Sequence, residues 1–332
     1  MKTEVAAQTE QMRLAAQFAE LAPSVHNTQP WRFVARPNAL EIHVDPDRKL
    51  DYIDPSGRQL HLSCGAAIEL ARLGIRYLGL SCTVRLLPDP SHDTLVAKLV
   101  VGFAEPVTGA EQRLIDAVPR RYTDRGPYTD EPPSWLALQK MREAAGERHC
   151  WLRVLDHTDD RLAAIRLLES AEAAEATEDT YREEITSWQR SGAAHDGIPV
   201  DDLLEWERLH RVSDVPLRDF TGRASHPTPG DGEPPAVERD TIVVLGTDRD
   251  DRLSWLQAGR ALADVLLTLT DANLVSQPLG PALDLPATRA RLRRELGLVG
   301  YPQMMLRVGH GMRVPVTGRR PIDEVFSVAV AP

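Results

Sequence analysis

The sequence predicts an α+β protein in which two related α/β halves are fused in one chain, with a long lid-like insertion. Segments with a helical spacing of apolar residues alternate with short β-branched runs along most of the 332 residues. The helical segment 64–68 resembles the segment 258–262, which lies 194 residues later. Residues 191–238 are dominated by Pro, Gly, Asp and His, and a loop of this length inside a compact fold is usually functional or disordered.

The first part of the chain contains two helices and four strands by its residue pattern. Leu14, Phe18 and Leu21 have the spacing of an amphipathic helix, which Pro23 ends. Small residues in the second helix suit it to close packing against a neighbour. The predicted order is helix 8–21, strands 31–35 and 40–44, helix 59–80, and strands 83–87 and 95–101.

The second part continues with more helix and a polar interruption. The predicted order is helix 108–118, an arginine-rich turn at 120–128, helices 134–146 and 159–177 with a continuation at 179–190, a loop or lid at 191–238 with a short helix near 200–211, strand 241–245, helix 251–273, strand 304–308 and a tail at 319–328.

The repeat extends beyond one helix. The offset of 194 residues also aligns 79–82 with 273–276, and the strands that end at Gly102 and Gly309 occupy similar places. Any two α/β segments share some pattern, so chance is the alternative. A duplication inside one chain often replaces a symmetric homodimer, and we expect halves at residues 1–118 and 119–332.

Composition and charge exclude several classes of protein. A net charge of −10 argues against a nucleic-acid partner, and an anionic ligand needs a local arginine cluster. Three cysteines without zinc-like spacing indicate reduced thiols and no metal site. Because we find neither a signal peptide nor a long apolar run, we expect a cytoplasmic protein without a membrane partner.

A polar turn between two prolines is the most specific signal. It follows a predicted helix and precedes a predicted strand, so it can present Ser24 and Asn27 to a flat heteroaromatic ligand. A capped helix end with a local Asx turn is the alternative. The run is Ala22-Pro23-Ser24-Val25-His26-Asn27-Thr28-Gln29-Pro30-Trp31-Arg32-Phe33.

Two arginine-rich segments suit a phosphate monoester. Arg120, Arg121, Thr123 and Arg125 lie within six residues, and guanidinium groups pair bidentately with phosphate oxygens. A solvated basic turn is the alternative. The pair Arg319 and Arg320 adds positive charge near the end of the chain.

The loop after the second copy of the repeated helix is a further candidate. It runs Leu274-Val275-Ser276-Gln277-Pro278-Leu279-Gly280-Pro281. Gly280 has a backbone N–H to offer a ligand, whereas Pro281 has none. A plain helix-to-strand turn is the alternative. We find no GxGxxG, Walker, HExxH or GxSxG motif.

These segments resemble motifs of the FMN-dependent nitroreductase family. The run 22–33 is similar to its A-P-S-x-x-N-x-Q-P-W motif, which implies that Pro23, Ser24 and Asn27 contact the flavin, with Gln29 supporting the turn. Arg121, Thr123 and Arg125 fall on the R-x-S-x-R phosphate-binding motif, to which Arg120 adds a neighbouring charge. The 318–321 segment, with Arg319 and Arg320, resembles the basic C-terminal element. The resemblance further implies that Pro278, Leu279 and Gly280 lie at the flavin N5 edge and that His26 lines the substrate side.

Only one complete set of these motifs is present, with the turn in the first half and the arginines in the second. This pattern resembles the Acg-type branch, in which a single-chain pseudo-dimer with a nitroreductase-like fold holds one FMN beneath a lid. The resemblance implies NAD(P)H-dependent reduction of nitroaromatic, quinone or similar small acceptors by ping-pong hydride transfer through FMN N5. No catalytic side chain is then required. A monomer would suffice, and further dimerisation stays open.

Two other functions stay open. If the lid closes over the ring, the protein stores, sequesters or senses FMN without turnover. The other open function is that of a heme- or corrin-directed or biosynthetic oxidoreductase on the same scaffold.

Overall fold

The computed structural model describes residues 2–126, 128–200, 215, 240–311 and 317–329. The predicted α+β class with two related halves is confirmed. The elements of the first half are α1 (Lys2–Glu20), β1 (Trp31–Arg36), β2 (Ala39–Val44), α2 (Arg58–Tyr77), β3 (Leu80–Leu86) and β4 (Leu95–Ala104).

The second half has the same kinds of element in the same order, with additional helices inserted. Helix α3 (Gly109–Ala117) ends the first half. The elements of the second half are α4 (Trp135–Gly146), β5 (Trp151–Val154), α5 (Thr158–Thr177), α6 (Asp179–Ser187), β6 (Gln189–Arg190), β7 (Ile198–Pro199), β8 (Thr241–Thr247), α7 (Arg252–Asp271), β9 (Val275–Pro278), α8 (Pro281–Asp284), α9 (Pro286–Glu295), β10 (Tyr301–Gly309), α10 (Ile322–Val325) and β11 (Phe326–Val328).

The two main sheets repeat one strand order. The first runs β1-β2-β4-β3 and the second runs β5-β8-β10-β9, with antiparallel neighbours throughout. In both halves one helix precedes the first of these strands, and a central helix, α2 or α7, connects the second strand to the third. The last strand departs from the repeat, because β11 joins the first sheet parallel to β1. The C-terminal segment therefore crosses to the other half.

Helices α2 and α7 pack against each other at the centre of the molecule. Leu256, Ala263 and Leu267 of α7 belong to the apolar core of the first half, and Leu62 of α2 belongs to that of the second. The two halves thus share their buried surface, which is the expected arrangement for a dimer interface enclosed in one chain.

A buried charge cluster accompanies this packing. Glu69 of α2 is fully buried and forms ion pairs with Arg148 and Arg260, each at 2.8 Å, and with Arg72. The three guanidinium groups lower the pKa of the Glu69 carboxyl to about 2 despite its burial, which by itself would raise the pKa. A single carboxylate therefore links arginines from three segments of the chain.

Several elements differ from the predicted ones. Strands β5, β6, β7 and β9 and helices α8 and α9 were not predicted. β9 has only one β-branched residue, Val275, and ends in a proline, while α9 buries a single apolar side chain, Leu292. Neither offers the periodicity that identifies an element. The predicted helical continuation at 179–190 ends at Ser187, and the predicted tail at 319–328 forms α10 and β11.

The predicted lid at 191–238 is described only in part. Residues 191–200 and 215 lie within the described ranges, and the short helix predicted near 200–211 lies outside them apart from its first residue.

Among all the residues that the structure describes, no helix combines the length and the hydropathy that a membrane crossing demands.

Candidate functional site

A cavity lies between the halves, and both halves contribute to its wall. Turn 23–27 and the start of α2 come from the first half, and loop 121–125, β9 and α8 come from the second. Most of the predicted residues line it: Pro23, Ser24, His26, Asn27, Arg121, Thr123, Arg125, Pro278, Leu279, Gly280 and Arg319. The proline-bounded turn of the first half and the arginine segments of the second half therefore share one cavity.

Three predicted residues do not line this cavity: Gln29, Arg120 and Arg320. Arg120 is exposed, and its Nε donates to the Asp116 carbonyl at 3.1 Å. Arg320 lies 3.5 Å from Glu324 and 3.8 Å from Asp45, both outside the cavity. Adjacent side chains leave the backbone in different directions, so only one arginine of each Arg-Arg pair reaches the cavity.

The turn after α1 has an uncommon backbone. His26, Asn27 and Gln29 have φ angles of 46°, 54° and 49°, a left-handed conformation that costs non-glycine residues roughly 1–3 kcal/mol each. The Ser24 hydroxyl accepts the Gln29 N–H at 3.0 Å, and the Val25 N–H donates to the Ser63 hydroxyl at 3.2 Å. These contacts hold the strained turn with Ser24 and Asn27 at the cavity wall.

Gln29 supports this turn from behind the cavity. Its buried side chain donates through Nε2 to the His195 carbonyl at 2.8 Å and accepts the Arg320 N–H on Oε1 at 2.9 Å. The turn is thereby connected both to the start of the predicted lid and to the C-terminal segment.

Arg121 lines the cavity and has little compensation for its charge. Its side chain donates to the Leu21 carbonyl at 3.2 Å, and its Nε has no hydrogen-bond partner among the described residues. Burial and the neighbouring charge of Arg319 lower the pKa of the guanidinium to about 9. It stays protonated at neutral pH, so a positive charge is held away from water.

Arg319 provides the second charge of this pocket. It donates to the carbonyls of Glu20 at 2.7 Å and Thr317 at 3.0 Å and to Asn27 Oδ1 at 3.4 Å. Burial lowers its pKa to about 10, and the Glu20 charge opposes this only in part. Within the described ranges, neither Arg319 nor Arg121 forms an ion pair with a carboxylate. The pocket has the character of an anion site.

Loop 121–128 is held in place by contacts with the second sheet. Thr123 forms a β-bridge with Ser276, and the Asp124 N–H donates to the Ser276 carbonyl at 3.1 Å. The fully buried Arg307 stacks on Tyr128, with 3.9 Å from its Cζ to the ring centre, and donates to the Gly126 carbonyl at 2.8 Å. Sequence reasoning missed Arg307, although a charged residue inside the apolar run 304–308 was a usable signal.

Several residues that line the cavity were also missed. Leu62, Leu262, Leu266, Met304 and Leu306 make part of the cavity apolar. Helical spacing predicts burial for the leucines but cannot distinguish a ligand cavity from the core. A second group is polar or lies near the predicted lid: Gln59, Ser63, Tyr122, Gly197, Ile198, Pro199 and Asp284. The cavity thus combines an anion pocket with an apolar slot.

The described part of the chain contains no group of three or more His, Cys, Asp or Glu side chains arranged to hold a metal ion.

Comparison with known proteins identifies full-length relatives. The chain is 36% identical over 331 residues to "Putative NAD(P)H nitroreductase Rv3131" of Mycobacterium tuberculosis. The aligned region covers 95% of this chain and 91% of the relative. It is 32% identical over 330 residues to "Putative NAD(P)H nitroreductase acg" of the same organism, with 96% of both chains covered. No protein-family profile matches the chain.

Similar solved structures include two nitroreductases. One, from Desulfitobacterium hafniense with bound FMN, gives a TM-score of 0.40 at 15% identity and covers 65% of this chain and 98% of its own. NfnB from Mycobacterium smegmatis in complex with NADPH gives 0.35 at 16% identity, covering 67% and 98%. Because the chain is 32–36% identical to these two relatives over nearly its whole length, it belongs to the Acg-type branch of the nitroreductase family.

Proposed function

We propose that this chain binds one FMN and uses NAD(P)H to reduce nitroaromatic, quinone or similar small acceptors. Family membership makes it an oxidoreductase of the nitroreductase type. Its partners on this proposal are small molecules, and the internal pseudo-dimer makes a monomer sufficient. The proposal also keeps residues 1–118 and 119–332 as the two halves.

One observation carries the proposal. Arg121 and Arg319 bring two guanidinium groups from distant parts of the chain into one cavity, and no carboxylate among the described residues forms an ion pair with either. Burying unpaired charges is unfavourable, so an anionic ligand is the natural complement. The phosphate of FMN meets this requirement, and the adjacent apolar slot suits its ring.

The residues present fit FMN. Arg121, Arg125 and Arg319 would hold the phosphate with the Thr123 hydroxyl, and charge-assisted hydrogen bonds contribute roughly 1.5–3 kcal/mol each. Pro23, Ser24 and Asn27 would contact the ring and ribityl chain. Pro278 and Leu279 would pack at the ring edge, where Gly280 offers its N–H.

FMN supplies hydride-transfer chemistry when it is bound. The protein's task is to orient the ring and exclude water from it. Leu262, Leu266 and Met304 present apolar side chains for this purpose, while His26 lies at the wall on the proposed acceptor side. A catalytic acid or base from the protein is not required.

Storage or sequestration of FMN is the second candidate, and one observation favours it. Gly197, Ile198 and Pro199 line the cavity, and the Gly197 N–H donates to the Asn27 carbonyl at 3.2 Å. Asp196 next to them pairs with Arg48 and Arg190. The start of the predicted lid is therefore fastened to the flavin-facing turn, which restricts access to the cavity.

Flavin content tests the binding proposal. We expect purified protein to carry close to one FMN per chain, and the double variant Arg121→Ala/Arg125→Ala to lose it while its circular dichroism stays unchanged. Arg120→Ala is the matched control, since this exposed neighbour does not line the cavity. A double variant that keeps its flavin would reject this phosphate site.

Anaerobic mixing with NADH or NADPH then separates the two candidates. Rapid bleaching of the flavin absorbance supports the reductase. No bleaching over minutes, in protein that holds flavin, supports sequestration.

A further inference from the structure

A polar pair interrupts the apolar part of the cavity wall. Gln59 near the start of α2 donates through Nε2 to Asp284 Oδ1 at 2.7 Å. Gln59 belongs to the first half and Asp284 to the second, and both line the cavity. Neither residue belongs to the predicted FMN motifs. A carboxylate in a ligand cavity is costly to desolvate, so its presence calls for a role.

The charges around Asp284 define its electrostatic setting. Arg58 is fully buried nearby, and its two terminal nitrogens donate to the carbonyls of Gln303 at 2.6 Å and Leu283 at 3.1 Å. Arg289 forms an ion pair with Asp250 at 2.5 Å. Asp54 interacts electrostatically with both Arg58 and Asp284, and its carboxylate accepts the Leu60 N–H at 2.8 Å. Arg58, Arg289, Asp54 and Asp250 do not line the cavity, whereas Asp284 does.

The described residues that line the cavity therefore include three arginines, Arg121, Arg125 and Arg319, and a single carboxylate, Asp284. If FMN occupies the arginine pocket, its phosphate neutralises the cations there. An acceptor that enters the remaining space then meets Asp284 as a charged group of the wall. A carboxylate accepts hydrogen bonds but donates none, so it favours cations and N–H donors and repels anions.

We propose that Asp284, positioned by Gln59, determines acceptor specificity by selecting flat aromatic compounds with a cationic or N–H-donating substituent over carboxylated ones. The inference rests on the proposed function, because it assumes that FMN fills the arginine pocket. It narrows the acceptor class, which the FMN motifs leave open.

Two isosteric probes test the inference without requiring turnover. Benzamidine and benzoate share a planar ring with a planar three-atom substituent but carry opposite charges. Each is titrated into the oxidised, flavin-loaded protein, and the dissociation constant is read from the change in flavin absorbance. We expect benzamidine to bind about tenfold more tightly than benzoate, in line with the cost of placing like charges together.

Variants locate the source of the preference. Asp284→Asn should bring the ratio of the two dissociation constants close to one, while the control Asp179→Asn, an exposed residue of α6, leaves it unchanged. Gln59→Leu should keep the preference, because the carboxylate stays. If the hydrogen bond between Gln59 and Asp284 only joins the two halves, Gln59→Leu and Asp284→Asn should each weaken the binding of benzamidine and of benzoate by the same factor. That result would overturn the inference.

The two proposals fail in different ways. Protein that binds no flavin defeats the proposed function and this inference with it. Flavin-loaded protein that binds benzoate as well as benzamidine, or an Asp284→Asn variant that keeps the preference, defeats the inference alone. If Asp284→Asn does not fold, Asp284→Ser replaces it: a ratio of the two dissociation constants close to one supports the charge-based selection, and a ratio that stays near ten contradicts it.

Discussion

Gly65 and Gly259 contact each other across α2 and α7 with the symmetry of a two-fold axis. A Cβ on Gly65 would lie 2.3 Å from the Leu256 carbonyl oxygen, and a Cβ on Gly259 would lie 2.0 Å from the Leu62 carbonyl oxygen. Each would also lie 2.8 Å from the opposite glycine Cα. Gly65 and Gly259 are 194 positions apart, and so are Leu62 and Leu256. The same face of the duplicated helix is therefore used twice, as in an isologous dimer interface.

Gly259→Ala should destabilise the protein by roughly 1–3 kcal/mol or more, because the methyl group meets backbone atoms of α2 that cannot rotate away. Urea denaturation of the purified variant measures this free energy of unfolding. Gly146→Ala is the matched control, since a Cβ there has no heavy atom within 4 Å. Equal stability of the two variants would contradict the close approach of α2 and α7.

Glu69→Ala should cost about 3–5 kcal/mol of stability, the range for removing one partner of a buried ion pair. The substitution leaves the guanidinium groups of Arg72, Arg148 and Arg260 without their shared carboxylate. The exposed pair Asp179–Arg182 provides the comparison, and Asp179→Ala should change the free energy of unfolding by less than about 1 kcal/mol. A loss at Glu69 no larger than that at Asp179 would show that the cluster contributes no stability.

Removing the charge of Arg121 should separate stability from binding. Arg121→Met replaces a buried guanidinium by an apolar chain, so the flavin-free variant should unfold at the same temperature as the flavin-free parent or higher. Added FMN should raise the melting temperature of the parent by ligand linkage and leave that of the variant unchanged. Differential scanning fluorimetry measures the melting temperature without flavin and its shift when FMN is added, with Arg120→Met as the control. A variant that FMN still stabilises would exclude Arg121 from the phosphate pocket.

Local pattern was sufficient to predict most of the fold. The amphipathic spacing predicted helix α1, because burial on one face imposes that periodicity. The small residues of α2 and their repeat in α7 indicated the two central helices. The strands β5 and β9 lack such a signal: each has four residues, and Arg153 and Gln277 stand inside them. Their conformation depends on pairing with β8 and β10, which is information from elsewhere in the chain.

The candidate site was predictable at the level of segments but less so at the level of side chains. Both arginine segments reach the cavity, yet a linear motif does not specify whether Arg319 or Arg320 points inward. Gln59 and Asp284 carry no motif, because only the packing of α2 beside α8 brings them together. The division near residue 118 stays a prediction, and β11 shows that a strand from the end of the chain joins the sheet of the first half.

Glu20 should make FMN binding depend on pH near neutrality. This residue ends α1, its Oε1 has no hydrogen-bond partner among the described residues, and its own carbonyl accepts from Arg319. Burial raises the pKa of the carboxyl to about 7, against the opposing charges of Arg13, Arg319 and Arg320. A phosphate bound at Arg319 adds negative potential and raises this pKa further, so binding takes up a proton.

The sign of the effect follows from linkage. The folded pKa lies above the unfolded value, so the stability that Glu20 contributes is present below about pH 4.5 and is lost as pH rises through about 7. FMN affinity should likewise fall above pH 7, where the phosphate is already a dianion because its second pKa is near 6. Dissociation constants from flavin fluorescence quenching between about pH 6 and pH 8.5 measure this decline. Glu20→Gln should flatten it while Glu10→Gln, on the same helix but exposed, should not; an unchanged profile in Glu20→Gln would remove Glu20 from the coupling.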